Sequence, residues 1–76
     1  MKLEVRLFAY FRDEGRGNKQ FLDIEENETT LGEVIDELGI PREKCSIILI
    51  NGKNAQFDST FKEGDYVSLF PAVGGG

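Results

Sequence analysis

The chain opens on "KLEVRLF", in which Leu3, Val5 and Leu7 alternate with Lys2, Glu4 and Arg6. A period of two puts the apolar side chains on one face and the charged ones on the other, which predicts a half-buried strand. "RDEGRGN" breaks the pattern with charges and two glycines, as a turn or loop does. "QFLDIEE" resumes it through Leu22 and Ile24, predicting a second strand that folds back on the first as a hairpin.

The period then changes. Leu31, Val34, Ile35 and Leu38 fall at i, i+3, i+4 and i+7, one stripe of a helix of about two turns. Thr30 is placed to cap its N-terminus, with Glu33 closing a capping box. Gly39 suits a left-handed C-terminal cap, and Pro41 bars continuation. Gly32 in the first turn lowers helix propensity and is expected to let the helix approach the sheet closely. A helix this short depends on packing for its stability.

Ile47 to Ile50 is an unbroken apolar run, as expected of a strand central in its sheet or covered on both faces. Asn51 and Gly52 both accept the positive φ of a two-residue hairpin turn, so a short strand from Lys53 folds back on it. In the irregular "QFDSTFKEGD", Phe57 and Phe61 are expected to anchor a satellite cluster, with a turn at Glu63-Gly64-Asp65. "YVSLF" is the final strand, with Val67 and Leu69 inward and Tyr66, Ser68 and Phe70 on the opposite face. Pro71 has no N–H for a ladder and ends it. The order β-β-α-β-β-β predicts an α+β fold, a mixed sheet of four to five strands with one helix packed across it. With the last strand parallel to the first in mid-sheet, this is the β-grasp, or ubiquitin-like, arrangement. It divides the chain into a β-grasp domain, 1–71, and a flexible glycine tail, 72–76.

Composition narrows the chemistry. Seventy-six residues make one small domain in which apolar burial and chain entropy nearly cancel. Fourteen acidic against nine basic residues leave a net charge of −5, which argues against nucleic acid and suits a basic protein partner. No apolar run is long enough to cross a bilayer and no signal-peptide pattern opens the chain. The single Cys45 excludes an internal disulfide. The expectation is a cytoplasmic protein with no membrane association. There is no His, so no Ser–His–Asp triad or Cys–His pair can be assembled, and one Cys cannot hold an iron–sulfur cluster. No bound cofactor or metal is expected, and the acidic residues read as solvated surface.

The end of the chain, "LFPAVGGG", is different in kind. Fully extended, Pro71 to Gly76 reaches roughly 20 Å. Pro71 stiffens its base, Val73 offers one apolar grip, and Gly74, Gly75 and Gly76 carry no Cβ. Such a strand fits a tunnel that excludes side chains. A terminal carboxylate, with a pKa near about 3.5, is ionised at neutral pH. It is a competent oxygen nucleophile toward the α-phosphate of ATP, and the acyl-adenylate so formed is open to attack by sulfur or nitrogen. A Gly-Gly end by itself is more often a frayed terminus. Its position directly after the last strand of a β-grasp order favours a role.

These features resemble those of the MoaD/ThiS-like sulfur carriers, most closely the small subunit type of molybdopterin synthase, over the whole chain. "VRLFAYFRDEG" resembles that family's hydrophobic strand followed by Phe-Ala-x-x-Arg-Glu, with Asp13 where Glu is usual. "ILING" resembles its strand and Asn-Gly hairpin. "KEGDYVSLFPAVGGG" resembles Gly-Asp-x-Val-x-x-Phe-Pro-Pro-Val-x-Gly-Gly, with Ala72 at the second proline. Gly75 and Gly76 then match the terminal pair and Gly74 the variable position before it. The resemblance implies that an adenylating enzyme related to ubiquitin-activating proteins uses ATP and Mg²⁺ to activate Gly76. Sulfur from a persulfide converts the carboxylate to a thiocarboxylate. The molybdopterin synthase large subunit receives the tail and passes the sulfur to a pterin precursor of the molybdenum or tungsten cofactor. The chain itself would be a non-catalytic cosubstrate.

Other uses of the same chemistry stay open: a ubiquitin-like modifier amide-linked to lysines through Gly76, a sulfur donor for thiamine, cysteine or tRNA, or a passive binding module. For docking, Gly74, Gly75, Val73, Pro71 and Phe70 are the expected partner contacts. Phe70 with Tyr66 is a candidate aromatic patch at the tail's root, against the alternative that Phe70 only covers the sheet end. Phe8 and Phe11 resemble positions near the partner contact in the family, but aromatic residues in a small domain are more often core. Arg6 and Arg12 read as solvated, and Cys45 as a small buried filler rather than a sulfur carrier.

Overall fold

The computed structural model describes residues 1–12 and 17–72. Five strands, β1 (Lys2–Leu7), β2 (Lys19–Asp23), β3 (Cys45–Ile50), β4 (Lys53–Asn54) and β5 (Tyr66–Pro71), form one sheet in the order β2-β1-β5-β3-β4. Helix α1 (Leu31–Glu37) lies across one face, and a 3₁₀ turn, Arg42–Lys44, leads from it into β3. β1 and β5 run parallel in register Val5↔Val67 and Leu7↔Leu69, while β1–β2, β3–β5 and β3–β4 are antiparallel. This is the β-grasp arrangement, with five strands.

Alternation decides what is inside. Leu3, Val5, Leu7, Val67 and Leu69 are buried beneath Leu31, Val34 and Ile35 of α1, and Phe11, Ile40 and Phe61 close the sides. The local signals read from the sequence take effect where expected. Thr30 Oγ1 accepts from the Glu33 N–H at 3.2 Å and a Glu33 carboxylate oxygen accepts from the Thr30 N–H at 2.9 Å, a closed capping box. Gly39 has φ +75, and Asn51 and Gly52 have φ 54 and 80 in the β3–β4 turn.

Some expectations need correction. The apolar run Ile47–Ile50 forms a strand inside the sheet, between β5 and β4, as one of its two readings had it, but it is not covered on both faces: Ile48 and Ile50 pack on the core, and Ile47 is 48% exposed on the face opposite α1. Phe57 and Phe61 form no satellite cluster. Phe61 is fully buried in the main core, whereas Phe57 stays on the surface with the Arg42 guanidinium 5.5 Å from its ring centroid. Gly32 makes its close approach to Arg42 rather than to the sheet. A Cβ there would lie 2.7 Å from the guanidinium carbon, which is held by a two-pronged bond to Asp36, and the Gly32 N–H donates to the Phe57 carbonyl at 2.8 Å.

Pro71 does end β5, but as its last residue rather than the first beyond it, buried and paired with Cys45. The Ala72 N–H still donates to the Lys44 carbonyl at 3.1 Å, on the β3 side. By alternation the Pro71 nitrogen turns to the other side, where β1 has ended at Leu7 and the chain bends away at Ala9. The missing donor therefore leaves no acceptor unpaired.

Candidate functional site at the end of the last strand

β5 carries the chain terminus out of the centre of the sheet. Its last described residue, Ala72, is bonded to Lys44, and the Phe8 N–H donates to the Leu69 carbonyl at 3.2 Å on the other flank. The tail is thus fastened on both sides at its root. Four residues remain beyond that point, a span of at most about 14 Å. Val73, Gly74, Gly75 and Gly76, all expected to act here, lie outside the described residues. Pro71 and Phe70 lie within them, and the structure brings both to the point of exit.

On the face opposite α1, Phe70 is half-buried and its ring is stacked on Phe8, centroids 4.3 Å apart and planes inclined by 8°. Ile47 lies opposite Phe70 across the β3–β5 pairing, and Leu49 lies opposite Ser68. Phe8, Ile47 and Phe70, flanked by Leu49, make an apolar patch directly at the tail's root. The aromatic partner of Phe70 is Phe8, not Tyr66. Tyr66 shares the face but lies at the far end of β5, under the Arg6 guanidinium, 4.0 Å from its ring centroid. Phe11 is core, 1% exposed.

Sequence reasoning missed Ile47 because an unbroken apolar run hides which of its members face out. It weighed Phe8 only by resemblance, although the parallel pairing it expected places Phe8 next to Phe70 once Leu7↔Leu69 is extended by a residue.

Arg6 and Lys19 are engaged with Glu4. Arg6 Nε donates to Glu4, and Lys19 Nζ lies 3.9 Å from the same carboxylate. The hydrogen bond from Arg6 holds the Glu4 carboxyl below its ordinary range and raises Arg6 in turn. Cys45 sits beneath the tail's root as the strand partner of Pro71, with its Sγ 4.0 Å from the Pro41 carbonyl oxygen. Burial, helped by nearby Glu43, pushes its thiol pKa up, which disfavours the nucleophilic thiolate. Among the described residues no group of three or more Cys, Asp or Glu is placed to hold a metal ion, and no helix is long and apolar enough to cross a membrane. The described residues of the site therefore offer an apolar landing surface and an anchored root for the tail.

Known proteins share this architecture. SAMP1 from Haloferax volcanii superposes with a TM-score of 0.80 at 23% identity, over 100% of both chains. A putative molybdopterin converting factor subunit 1 from Pyrococcus furiosus gives 0.75 at 23%, covering 96% of this chain and 99% of that one. A complex of subunits 1 and 2 of the molybdopterin-converting factor from Helicobacter pylori gives 0.64 at 25%, over 100% of both chains. No curated protein sequence matches. The model of the ThiS family matches residues 5–76, strand β1 through the glycine end, and the chain belongs to that family of ubiquitin-like sulfur carriers.

Proposed function

We propose that the protein carries sulfur as a thiocarboxylate on Gly76 and delivers it to molybdopterin synthesis. The observation that carries the reading is the join between tail and fold: a glycine end whose root is fastened to β3 and emerges beside the Phe8–Phe70–Ile47 patch. The patch gives partners a surface to grip, and the fastening fixes where the root of the tail leaves the sheet beside it.

The chemistry divides between the partners and this chain. In an adenylating enzyme related to ubiquitin-activating proteins, the Gly76 carboxylate attacks the α-phosphorus of ATP held with Mg²⁺, and pyrophosphate leaves. The terminal sulfur of a persulfide displaces AMP, giving an acyl disulfide. A thiolate then cleaves its S–S bond, releasing the thiocarboxylate and leaving a disulfide on the donor. The molybdopterin synthase large subunit accepts the loaded tail. Support for such a partner comes from the Helicobacter pylori relative, a subunit of a two-subunit molybdopterin-converting factor. With no His and a Cys45 disposed against ionisation, this chain supplies the reacting atom while its partners supply the catalytic groups.

The test is incubation with candidate adenylating enzymes, ATP and Mg²⁺, followed by mass spectrometry for a Gly76 acyl-adenylate. A persulfide donor should then produce one sulfur-for-oxygen exchange. Failure of every candidate to adenylate the chain overturns the proposal. Loaded protein that forms no dithiolene with a synthase large subunit and pterin precursor would redirect the sulfur to another acceptor. Gly-Gly branches on cellular lysines, without free thiocarboxylate, would establish a protein modifier instead.

A further inference from the structure

Asparagine occurs at positions 18, 27, 51 and 54, and only Asn51 is followed by glycine. In the β3–β4 turn its side chain reaches across to the start of β5. Asn51 Nδ2 donates to an Asp65 carboxylate oxygen at 2.7 Å, and Asn51 Oδ1 accepts from the Tyr66 N–H at 2.9 Å. The Asn51 N–H donates to the Tyr66 carbonyl, also at 2.9 Å, so Asn51 carries the β3–β5 pairing one step into the turn. The other Asp65 oxygen accepts from the Lys62 N–H at 2.8 Å. One carboxamide thus clasps the β3–β4 turn to the turn that opens β5.

The same carboxamide is open to attack by its own chain. Asn51 and Gly52 are both exposed. Among the described residues, a Cβ placed on Gly52 would meet only the Tyr66 hydroxyl, at 3.9 Å, so the space around the peptide that follows Asn51 is free. Attack of the Gly52 nitrogen on Asn51 Cγ forms a C–N bond and closes a cyclic succinimide. The Cγ–Nδ2 bond breaks, and ammonia leaves with the proton that the Gly52 nitrogen gives up. Water then opens the ring. Opening at Cγ leaves an ordinary aspartate, whereas opening at the main-chain carbonyl leaves an isoaspartate whose chain is longer by a methylene. The sum is water consumed and ammonia released, with no change of oxidation state. Either product has lost the amide donor and gained a carboxylate.

We infer that Asn51 is a deamidation site, with water as the co-reactant, and that its conversion undoes the clasp on β5. A carboxylate only accepts, so in the aspartate form the hydrogen bond to Asp65 is lost. Two like charges then face each other where donor and acceptor now lie 2.7 Å apart. Asp65 can swing away only by giving up the Lys62 N–H, which its second oxygen accepts. The isoaspartate form does further damage, because it lengthens a turn whose φ values, 54 at Asn51 and 80 at Gly52, are those of a two-residue hairpin. The clasp also restrains the reaction that destroys it: ammonia cannot leave until Nδ2 lets go of Asp65. The folded chain therefore reacts more slowly than a free peptide, and a chain without the Asp65 acceptor reacts faster. None of this depends on what the tail carries.

The test holds the full chain at mildly alkaline pH and follows it by peptide mapping with mass spectrometry, isoaspartate being scored by enzymatic methylation. A capped peptide of residues 47–55 is the free reference. Conversion is expected at Asn51, in both product forms, at about a tenth of the peptide's rate, with Asn18, Asn27 and Asn54 intact. Asp65→Ala, its fold checked by amide dispersion, should raise the rate at least about threefold. No conversion at Asn51 by the time the peptide has fully reacted, or the same rate with and without the Asp65 acceptor in a folded chain, would overturn the inference. The consequence is read on variants that keep the size of both side chains. Asn51→Asp should lower the urea midpoint and speed amide exchange at Lys62 and Tyr66. Adding Asp65→Asn sets a donor opposite the new carboxylate and leaves an oxygen for the Lys62 N–H, so the double variant should recover most of the loss. An Asn51→Asp midpoint equal to the parent's, or a double variant no better than the sum of its singles, overturns the inference as well.

Discussion

Val67 and Leu69 point into the core, and their chain neighbours Ser68 and Phe70 point out of it, onto the face opposite α1. The two faces of this sheet are built from the same five strands and differ in what lies against them. Beneath α1 the side chains of Leu3, Val5, Leu7, Val67 and Leu69 are at most 1% exposed. On the open face Phe8 is 37% and Ile47 is 48% exposed. Closely packed apolar residues gain dispersion and exclude water, so they determine whether the chain folds. Apolar residues that stay wet contribute less to folding and remain available to a partner. The division lets a domain of marginal stability keep a sticky surface where its tail departs.

The comparison can be broken by substitutions on either side of it. The largest effect concerns the tail. Removal of Gly76, or extension by one bulky untrimmed residue, should abolish adenylation in a pyrophosphate-release assay and leave the thermal midpoint unchanged. On the covered face, Leu69→Ala should cost about 2–5 kcal/mol in urea denaturation, enough to unfold much of a chain this small. On the open face, Phe8→Ala should cost only about 0.5–1.5 kcal/mol through loss of the stack on Phe70, and should weaken capture by a partner measured by titration calorimetry. If Phe8→Ala proves as destabilising as Leu69→Ala, the two faces are not divided in this way.

Smaller effects sharpen the account of α1, the cover of the buried face. Thr30→Ala removes the cap and should cost about 1 kcal/mol in the same denaturation. Glu33, Asp36 and Glu4 all have carboxyls lowered by hydrogen bonds, from Thr30, Arg42 and Arg6 respectively. Each is easier to ionise in the folded state than in the unfolded one. Their support is therefore present above the unfolded values, near about 4, and lost as pH falls below them. Glu33→Gln keeps a capping acceptor but cannot titrate, so it should flatten the acid limb of the stability profile slightly, with little change at neutral pH.

Much of this was legible in the residues because the physics was local. Thr30 with Glu33, Gly39, and Asn51 with Gly52 each satisfy a backbone requirement within a few positions of themselves. Alternation in β1 and β5 assigned both faces correctly. What escaped depends on neighbours distant in sequence. Phe57 and Phe61 sit in a segment with no period, so nothing local separates the fully buried ring from the one under Arg42. The tight space at Gly32 is made by Arg42, ten positions on, after the chain has reversed. The landing surface at the tail is likewise a product of register: Phe8 just past the end of β1, Ile47 of β3 and Phe70 of β5 meet only when the sheet is assembled.

The placement of β5 has a consequence for how the molecule is made. Among the five strands it is the last to be synthesised, yet it occupies the middle, and until it inserts the β1–β2 and β3–β4 hairpins share no strand pairing. Both strand pairings that join the two halves of the sheet, β1–β5 and β3–β5, must therefore wait for β5 to be made. Folding of such a non-local sheet is correspondingly slow to begin. The step that zips the two halves together is also the one that sets where the root of the tail, Pro71 and Ala72, leaves the sheet.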